Sequence, residues 1–368
     1  MTMASCLSNC SPGVDWAAIG RARTARENIA AARHPLITEE CELFIAADIG
    51  GTHARFGLFE PAGGPAPRLI RSGNLATTGA ADPAELVAEF ATGDQYDAIH
   101  LAVAGAVVDG LAHGSNLPWI VNRAALQDRF GVPVELINDL AAIANFVPHA
   151  TPEQFAVLQQ GEPVAGGPIG VIAPGTGLGQ AMLFVEPDGA YRARPSEAGH
   201  LDFAPNNTLQ DAWLGHLRAR YGHVSLERAC SGSSLPAMYV FMRHADEAKP
   251  NPEIAAAIEG SDAAATITAA ALENHCPVCR ATLEMFVEIL GAAAGDLALQ
   301  IVATGGIVLA GGIPTRILPA LRGPGFLRAF RHKGRFTHLT ARTPVSVLME
   351  DDAGLWGAAL AFNQSGDR

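Results

Sequence analysis

One unit occurs twice in this chain and constrains its fold more than any other feature: a strand, a turn of glycine and threonine, and a second strand. The copies are "AADIGGTHARFGLFE" (46–60) and "PIGVIAPGTGLGQAMLFVEPDG" (168–189), about 125 residues apart. Familiar phosphate-cradling glycine loops run from a strand into a helix. Here each turn joins two runs rich in apolar residues, which predicts a β-hairpin. The repeat is one of architecture, not of residues. Two such hairpins, each opening a lobe, predict a duplicated fold with a ligand between the lobes.

At 368 residues the chain is longer than one compact core usually spans. "ELFIAADI" and "ARFGLFE" read as buried strands, and "PRLIRSGNLAT" contains a third. A helix over 82–92, a strand over 96–105, a helix over 121–131, a strand over 133–137 and a helix over 139–147 follow. The stretch 148–168, rich in Pro, Gly and Gln, is the best boundary. Beyond the second hairpin, helical patterns cover 208–221 and a long Ala-rich region from about 262 to 303. There Leu283, Phe286, Val287 and Leu290 form a core-facing stripe. "GGIVLAGGIPTRILPALR" (305–322) predicts a strand, a glycine turn and a helix with Pro314 in its first turn. A strand over 344–350 and a helix over 351–364 end the pattern.

Apolar residues make up 49% and charged residues 17%, as in an ordinary folded protein. The net charge of −12 argues against a nucleic-acid surface, which needs concentrated Lys and Arg. No apolar run approaches the roughly 18 residues of a membrane span. Residues 1–40 carry Arg21, Arg23, Arg26 and Arg33 without an apolar stretch behind them, so a secretory signal is not expected. They read as an extension, disordered or helical. Six scattered cysteines, Cys6, Cys10, Cys41, Cys230, Cys276 and Cys279, fit reduced thiols in a cytoplasmic protein. "CPVC" (276–279) has redox or metal spacing, yet it has no second copy and interrupts a helical stretch, which favours structural thiols.

The first turn offers Asp48, Gly50, Gly51 and Thr52. Glycines let backbone N–H groups approach phosphate oxygens, and a threonine hydroxyl adds a donor. A carboxylate such as Asp48 beside phosphates needs a divalent cation between them, and magnesium held through water is the natural one. "GTGLG" (175–179) repeats this chemistry with Gly175, Thr176 and Gly177. "AGGI" (310–313), with Gly311 and Gly312, can approach a flat ligand such as an adenine. Asp139, in "INDL", stands where a strand turns into a helix, and its type suits either a helix N-cap or a general base. Glu197 and His200 in "EAGH", Glu227 in "SLERACSG" and Asn116 in "GSNLPW" are polar groups beside turns, suited to a polyhydroxylated ligand.

Together "ADIGGTHARFGLF", "SNLPW", "INDLAAIANFV", "APGTGLGQAML", "EAGHLDFAP", "GHVSLERACSG", "GGIVLAGGIPTRIL" and "FRHKGRF" resemble the ATP-dependent bacterial glucokinases of the proteobacterial type, in the hexokinase–actin–Hsp70 superfamily. The resemblance runs from about Phe44 to Phe362. It implies an α/β protein of the two-lobed, actin-like (ribonuclease H-like) ATPase fold with a central cleft. The small lobe would be 41–149 plus 350–368, and the large lobe 150–349. The implied reaction moves the γ-phosphoryl of ATP to the 6-hydroxyl of D-glucose, the first step of glycolysis, with Mg2+ present and the enzyme a homodimer. By the same resemblance Asp139 is the catalytic base. Asn116, Asn138, Asp139, Glu197, His200 and Glu227 would bind glucose. Ala47, Asp48, Ile49, Gly50, Gly51 and Thr52, with Gly175, Thr176, Gly177, Gly311 and Gly312, would bind ATP, and Asp48 would hold the metal through water.

Two departures within the matched region carry expectations. Ala198 stands where that family often has glycine, and a left-handed backbone there would cost alanine about 1 kcal/mol. His53 replaces an asparagine found in some members, and either can donate to a ligand. An ordinary carboxylate pKa would suffice for Asp139 in phosphoryl transfer, which depends mostly on positioning. Competing readings are another hexose or phosphoryl donor, a sugar-responsive regulator of the ROK type, and an actin- or Hsp70-like ATPase. The last would leave "NLPW", "EAGH" and Glu227 without a purpose.

Overall fold

A computed structural model describes residues 42–61, 66–114, 117, 119–245, 252–259 and 262–365. The extension 1–40 and Asn116 lie outside the described residues, as do Cys6, Cys10 and Cys41.

The first hairpin is β1 (Phe44–Ile49) and β2 (His53–Glu60), paired antiparallel with Ile49 opposite Ala54. β3 (Arg68–Ala76) extends the meander. β4 (Ala98–Val103) returns parallel to β1. A three-stranded ribbon follows, β5 (Ala106–Val108), β6 (Leu111–His113) and β7 (Val121–Asn122), which the sequence pattern does not reveal because its strands are only two or three residues long. β8 (Val134–Asn138) lies parallel to β4 and completes a sheet of order β3-β2-β1-β4-β8.

β9 (Phe155–Gln159) belongs to the second sheet, so the stretch 148–168 is not a bare linker. Its Pro and Gly residues bracket a short edge strand, the position in a sheet where such residues are tolerated. β10 (Ile169–Pro174), β11 (Leu178–Val185) and β12 (Tyr191–Ser196) form the second meander. β13 (Gly306–Leu309) and β14 (Val345–Leu348) add in parallel, and the order is β12-β11-β10-β13-β14-β9. β10 and β11 match β1 and β2 in length as well as direction. The duplication read from two glycine turns is thus a duplication of five strands.

Two helices lie between the sheets. Asp139–Phe146 buries Ala142 with Phe44, Ala46 and Ala102 on the first sheet, and Leu140 and Ala144 with Val171 and Ala181 on the second. Ala353–Ser365 does the same with Ala358 and Ala359 on one side and Ala353 and Leu360 on the other. Alanine on both faces permits close packing against both sheets, and it gives each helix only a weak apolar periodicity. Phe44 and Phe59 stack at 5.5 Å, and Trp356 meets Phe59 edge-on at 5.4 Å. Each fully buried phenylalanine contributes roughly 1.5–3 kcal/mol, which ties the last helix firmly to β1 and β2.

The Ala-rich region expected as one helical stretch from about 262 to 303 is two helices, Ala263–Leu272 and Pro277–Ile301. Cys276 starts the second: its sulfur accepts the Cys279 N–H at 3.3 Å, and Pro277 takes the first turn. Cys230, Cys276 and Cys279 are all buried and free. Burial pushes the Cys230 and Cys279 thiols up, away from the reactive thiolate, so "CPVC" is a structural cap. The expected helix after "AGGI" is likewise two short ones, Gly312–Arg316 and Leu318–Leu321. Among the described residues no helix is long and apolar enough to cross a membrane.

Candidate active site

The parallel strands β1, β4 and β8 end at the same edge of the first sheet, at Ile49, Val103 and Asn138. Ligands of open α/β sheets gather at such carboxyl ends. Asp48 is the penultimate residue of β1, and Asp139 follows β8 directly. The copies diverge in chemistry here. Asp48 is the fifth residue of β1, whereas the fifth residue of β10 is Ala173, so the repeat carries the acid once.

The two roles that residue type allowed Asp139 are separated by its neighbour. Asn138 is the N-cap: its Oδ1 accepts the Ala141 N–H at 3.0 Å. Its Nδ2 donates to the Gly105 carbonyl and to Asp139 Oδ1, both at 3.0 Å. Asp139 Oδ1 also accepts the Leu140 N–H at 2.8 Å. One oxygen of Asp139 is therefore fixed by two donors, and Oδ2 is left for chemistry. Burial pushes this carboxyl up to about 6, and the Glu197 carboxylate adds to the rise. An ordinary carboxylate would suffice for the transfer, and this one is more basic than that.

Asp48 is half-buried and is also pushed up to about 6, first by burial and then by the Asp139 and Asp352 carboxylates. Arg55 on β2 opposes that rise. Its guanidinium donates to the Asp351 carbonyl at 3.0 Å and pairs with Asp352 at 3.3 Å, joining the first hairpin to the start of the last helix. A Cβ at Gly354 would collide with the Asp48 carboxylate, so only glycine admits Asp48 there. The Gly50 N–H closes the turn on the His53 carbonyl at 3.0 Å, and His53 Nδ1 lies 3.1 Å from Thr52 Oγ1.

The second turn meets this group from across the cleft. Leu140, one residue past Asp139, packs on Gly179 of β11. Glu227 Oε2 accepts the Leu178 N–H at 3.0 Å and leaves no room for a Cβ at Gly177. Glu197 and His200 bracket a single 3₁₀ turn, Ala198–His200, in which the His200 N–H donates to the Glu197 carbonyl at 2.9 Å. Both side chains are exposed. Ala198 is not among the described residues with left-handed backbone, so the strain contemplated for an alanine there does not arise.

The residues expected at ATP from the second and third glycine turns fall together. The Gly232 N–H donates to the Gly175 carbonyl at 2.8 Å, and Ser233 Oγ to the Thr176 carbonyl at 2.8 Å. A cavity of about 370 Å³ opens beside this turn, walled by Gly175, Thr176, Ser233, Thr268, Gly312 and Arg316. Gly311 has a φ of 86°, in the left-handed region, as it leads into the Gly312–Arg316 helix. Sequence reasoning did not single out Ser233, Thr268 or Arg316; Arg316 ends the short helix that the "AGGI" turn opens, and only the fold brings it beside Ser233 and Thr268. Among the described residues no three His, Cys, Asp or Glu side chains form a metal cage.

Fold and site together define a sugar kinase of the two-lobed, actin-like ATPase fold. A crystal structure of glucokinase from an Antarctic psychrotroph superposes with a TM-score of 0.74 at 30% identity, over 88% of this chain and 99% of that one. A ROK-family glucokinase from Streptomyces griseus, solved with glucose and AMPPNP, shares the fold at a TM-score of 0.61 and 22% identity, over 88% of this chain and 99% of its own. The glucokinase family model matches residues 45–365, and a curated glucokinase of Nostoc punctiforme is 35% identical over 335 residues, 86% of this chain and 98% of its own. The chain belongs to the glucokinase family and is an ATP-dependent hexose kinase.

Proposed function

We propose that the chain transfers the γ-phosphoryl of ATP to the 6-hydroxyl of D-glucose, with Asp139 as the base. The observation that carries this reading is the state of Asp139: relieved of capping by Asn138, oriented by two donors, and free at Oδ2 beside the cleft. As the oxygen–phosphorus bond forms, Oδ2 takes the hydroxyl proton, and the leaving oxygen stays on ADP. A carboxyl near 6 is ionised at neutral pH yet more basic than a free aspartate. Glu197, His200 and Glu227 accept and donate to the other sugar hydroxyls, together with Asn116. Asn138 holds the base and keeps one Oδ1 lone pair for the sugar.

The turn 47–52 (Ala47, Asp48, Ile49, Gly50, Gly51, Thr52) and the turn Gly175, Thr176 and Gly177 grip the phosphates from the two lobes. Gly311 and Gly312 border the base. The Streptomyces griseus neighbour, solved with AMPPNP and glucose, supports a nucleotide and a sugar in one cleft. The residues fit Mg2+ held through water by Asp48. That carboxylate has acidic neighbours and only Arg55 against them, and a hydrated magnesium needs just one or two carboxylates besides phosphate. The ion would supply charge neutralisation at the phosphates. We further read 41–149 with 350–368 as the small lobe, 150–349 as the large lobe, the protein as cytoplasmic and its assembly as a homodimer. The test is steady-state phosphorylation of glucose, mannose, fructose and N-acetylglucosamine with ATP. Glucose should have the highest kcat/KM, and a preference for another hexose would overturn the substrate assignment.

A further inference from the structure

The stretch "GSNLPW" (114–119), read as a sugar loop through Asn116, is anchored at each end. At its start Gly114 lies against the Ala104 carbonyl, with no room for a Cβ. The next carbonyl, that of Gly105, takes the Asn138 amide at 3.0 Å, so this end rests beside the base. Leu117 is buried in the core of the first sheet. At the far end Trp119 packs on the same core, and its indole Nε1–H donates to the Ala80 carbonyl at 3.1 Å.

Ala80 closes a turn that begins at the first glycine turn. The Thr77 N–H donates to the Thr52 carbonyl at 2.9 Å, one residue beyond the pairing of His53 with Ala76. The Ala80 N–H returns to the Thr77 carbonyl at 3.3 Å, and Gly79 between them has a φ of 98°. Thr78 is not among the left-handed residues, so the positive φ falls on the third of four positions, as in a type II turn. Downstream the chain is fixed again: the Ala81 N–H donates to Glu85 at 2.7 Å, and Asp82 caps the Pro83–Phe90 helix. Thr77 is fully buried and its hydroxyl has no partner among the described residues, so its link to Thr52 is made by the backbone. Residues 77–80 are thus a short strut with the phosphate turn at one end and the sugar loop at the other.

Phosphoryl transfer needs the sugar hydroxyl in line with the γ-phosphoryl, and a misplacement of about 1 Å can cost on the order of a hundredfold in rate. We infer that Trp119 is a positioning residue: through Ala80 and Thr77 it sets the sugar loop against the phosphate turn, and with it the alignment of acceptor and donor. Each substrate keeps its own contacts, so the strut acts on the transition state and not on either affinity.

The inference rests on the proposed reaction, so wild-type phosphorylation of glucose with ATP is measured first. Failure there removes both. With that activity present, W119F removes the indole N–H and keeps an aromatic ring on the core. It should lower kcat about tenfold, with the KM for glucose and the KM for ATP each within about threefold of the wild type. G79A strains the turn alone, since a Cβ there meets nothing within 4 Å and only the positive φ resists it. It should give the same split between kcat and KM. G79N, a side chain that the third position of a type II turn tolerates, should recover most of the lost kcat. Calorimetric titration with AMPPNP should find the wild-type stoichiometry in each variant, so that the loss is one of rate per folded enzyme. A Trp119 that serves only packing would lower the stoichiometry or the thermal midpoint and leave kcat per binding site unchanged. That result overturns the inference alone, as does a KM for glucose that rises while kcat holds, or a G79N no faster than G79A.

Discussion

Substituting Asp48→Asn should make the metal-free protein more stable while weakening it as a catalyst. Asp48 is held beside Asp139 and Asp352 with the Arg55 guanidinium opposing them, and its carboxyl rises from 3.8 to about 6. A rise of that size costs about 3 kcal/mol of folding free energy at neutral pH. The sign follows from proton binding. Between about 4 and 6 the folded state keeps a proton that the unfolded chain has released, so stability is greatest below that window and is lost as the pH rises through it. Asparagine keeps the shape beside Gly354 and carries no charge. Part of the cost is shared with Asp139, so the expected gain is about 1–3 kcal/mol at pH 7. The assay is urea unfolding in EDTA at pH 4.5 and 7. The variant should exceed the wild type at pH 7, and at pH 4.5, inside the window, its margin should shrink to about a third of that. Added Mg2+ should narrow the gap by stabilising the wild type. A variant equal to or weaker than the wild type at pH 7 would refute the claim that the site stores unfavourable charge.

Two further outcomes bear on the same site. The kcat/KM for glucose should fall as the pH drops through about 6 and stay flat above it, because Asp139 must be ionised to accept the proton; a profile that stays flat to pH 4.5 contradicts that role. Gly177→Ala should push Glu227 off the Leu178 N–H and raise the KM for glucose roughly ten- to a hundredfold, the scale of a charge-assisted hydrogen bond; a variant whose KM for ATP alone changes would place Glu227 away from the sugar.

Much of this architecture was legible because glycine turns and apolar runs mark strands locally. The two hairpins, the parallel strands β4 and β8, and the position of Asp139 at a strand end all follow from short-range pattern. β9 was hidden among Pro and Gly residues that suit an edge strand as well as a linker. The placement of 139–146 and 353–365 between the sheets was not readable from periodicity, since alanine on every face gives no single apolar stripe. The resemblance alone suggested that the last helix returns to the first lobe. The division of labour between Asn138 and Asp139 was also invisible, because either residue caps helices well.

In the proposed reaction Asp139 is the group that accepts the proton. The direct measurement is turnover of Asp139→Ala in a coupled assay with ATP and glucose, beside calorimetric titration of glucose into the same protein. Glucose binding should stay within a few-fold of the wild type while nearly all turnover is lost. Turnover near the wild-type rate would contradict the central claim, whatever the sugar affinity.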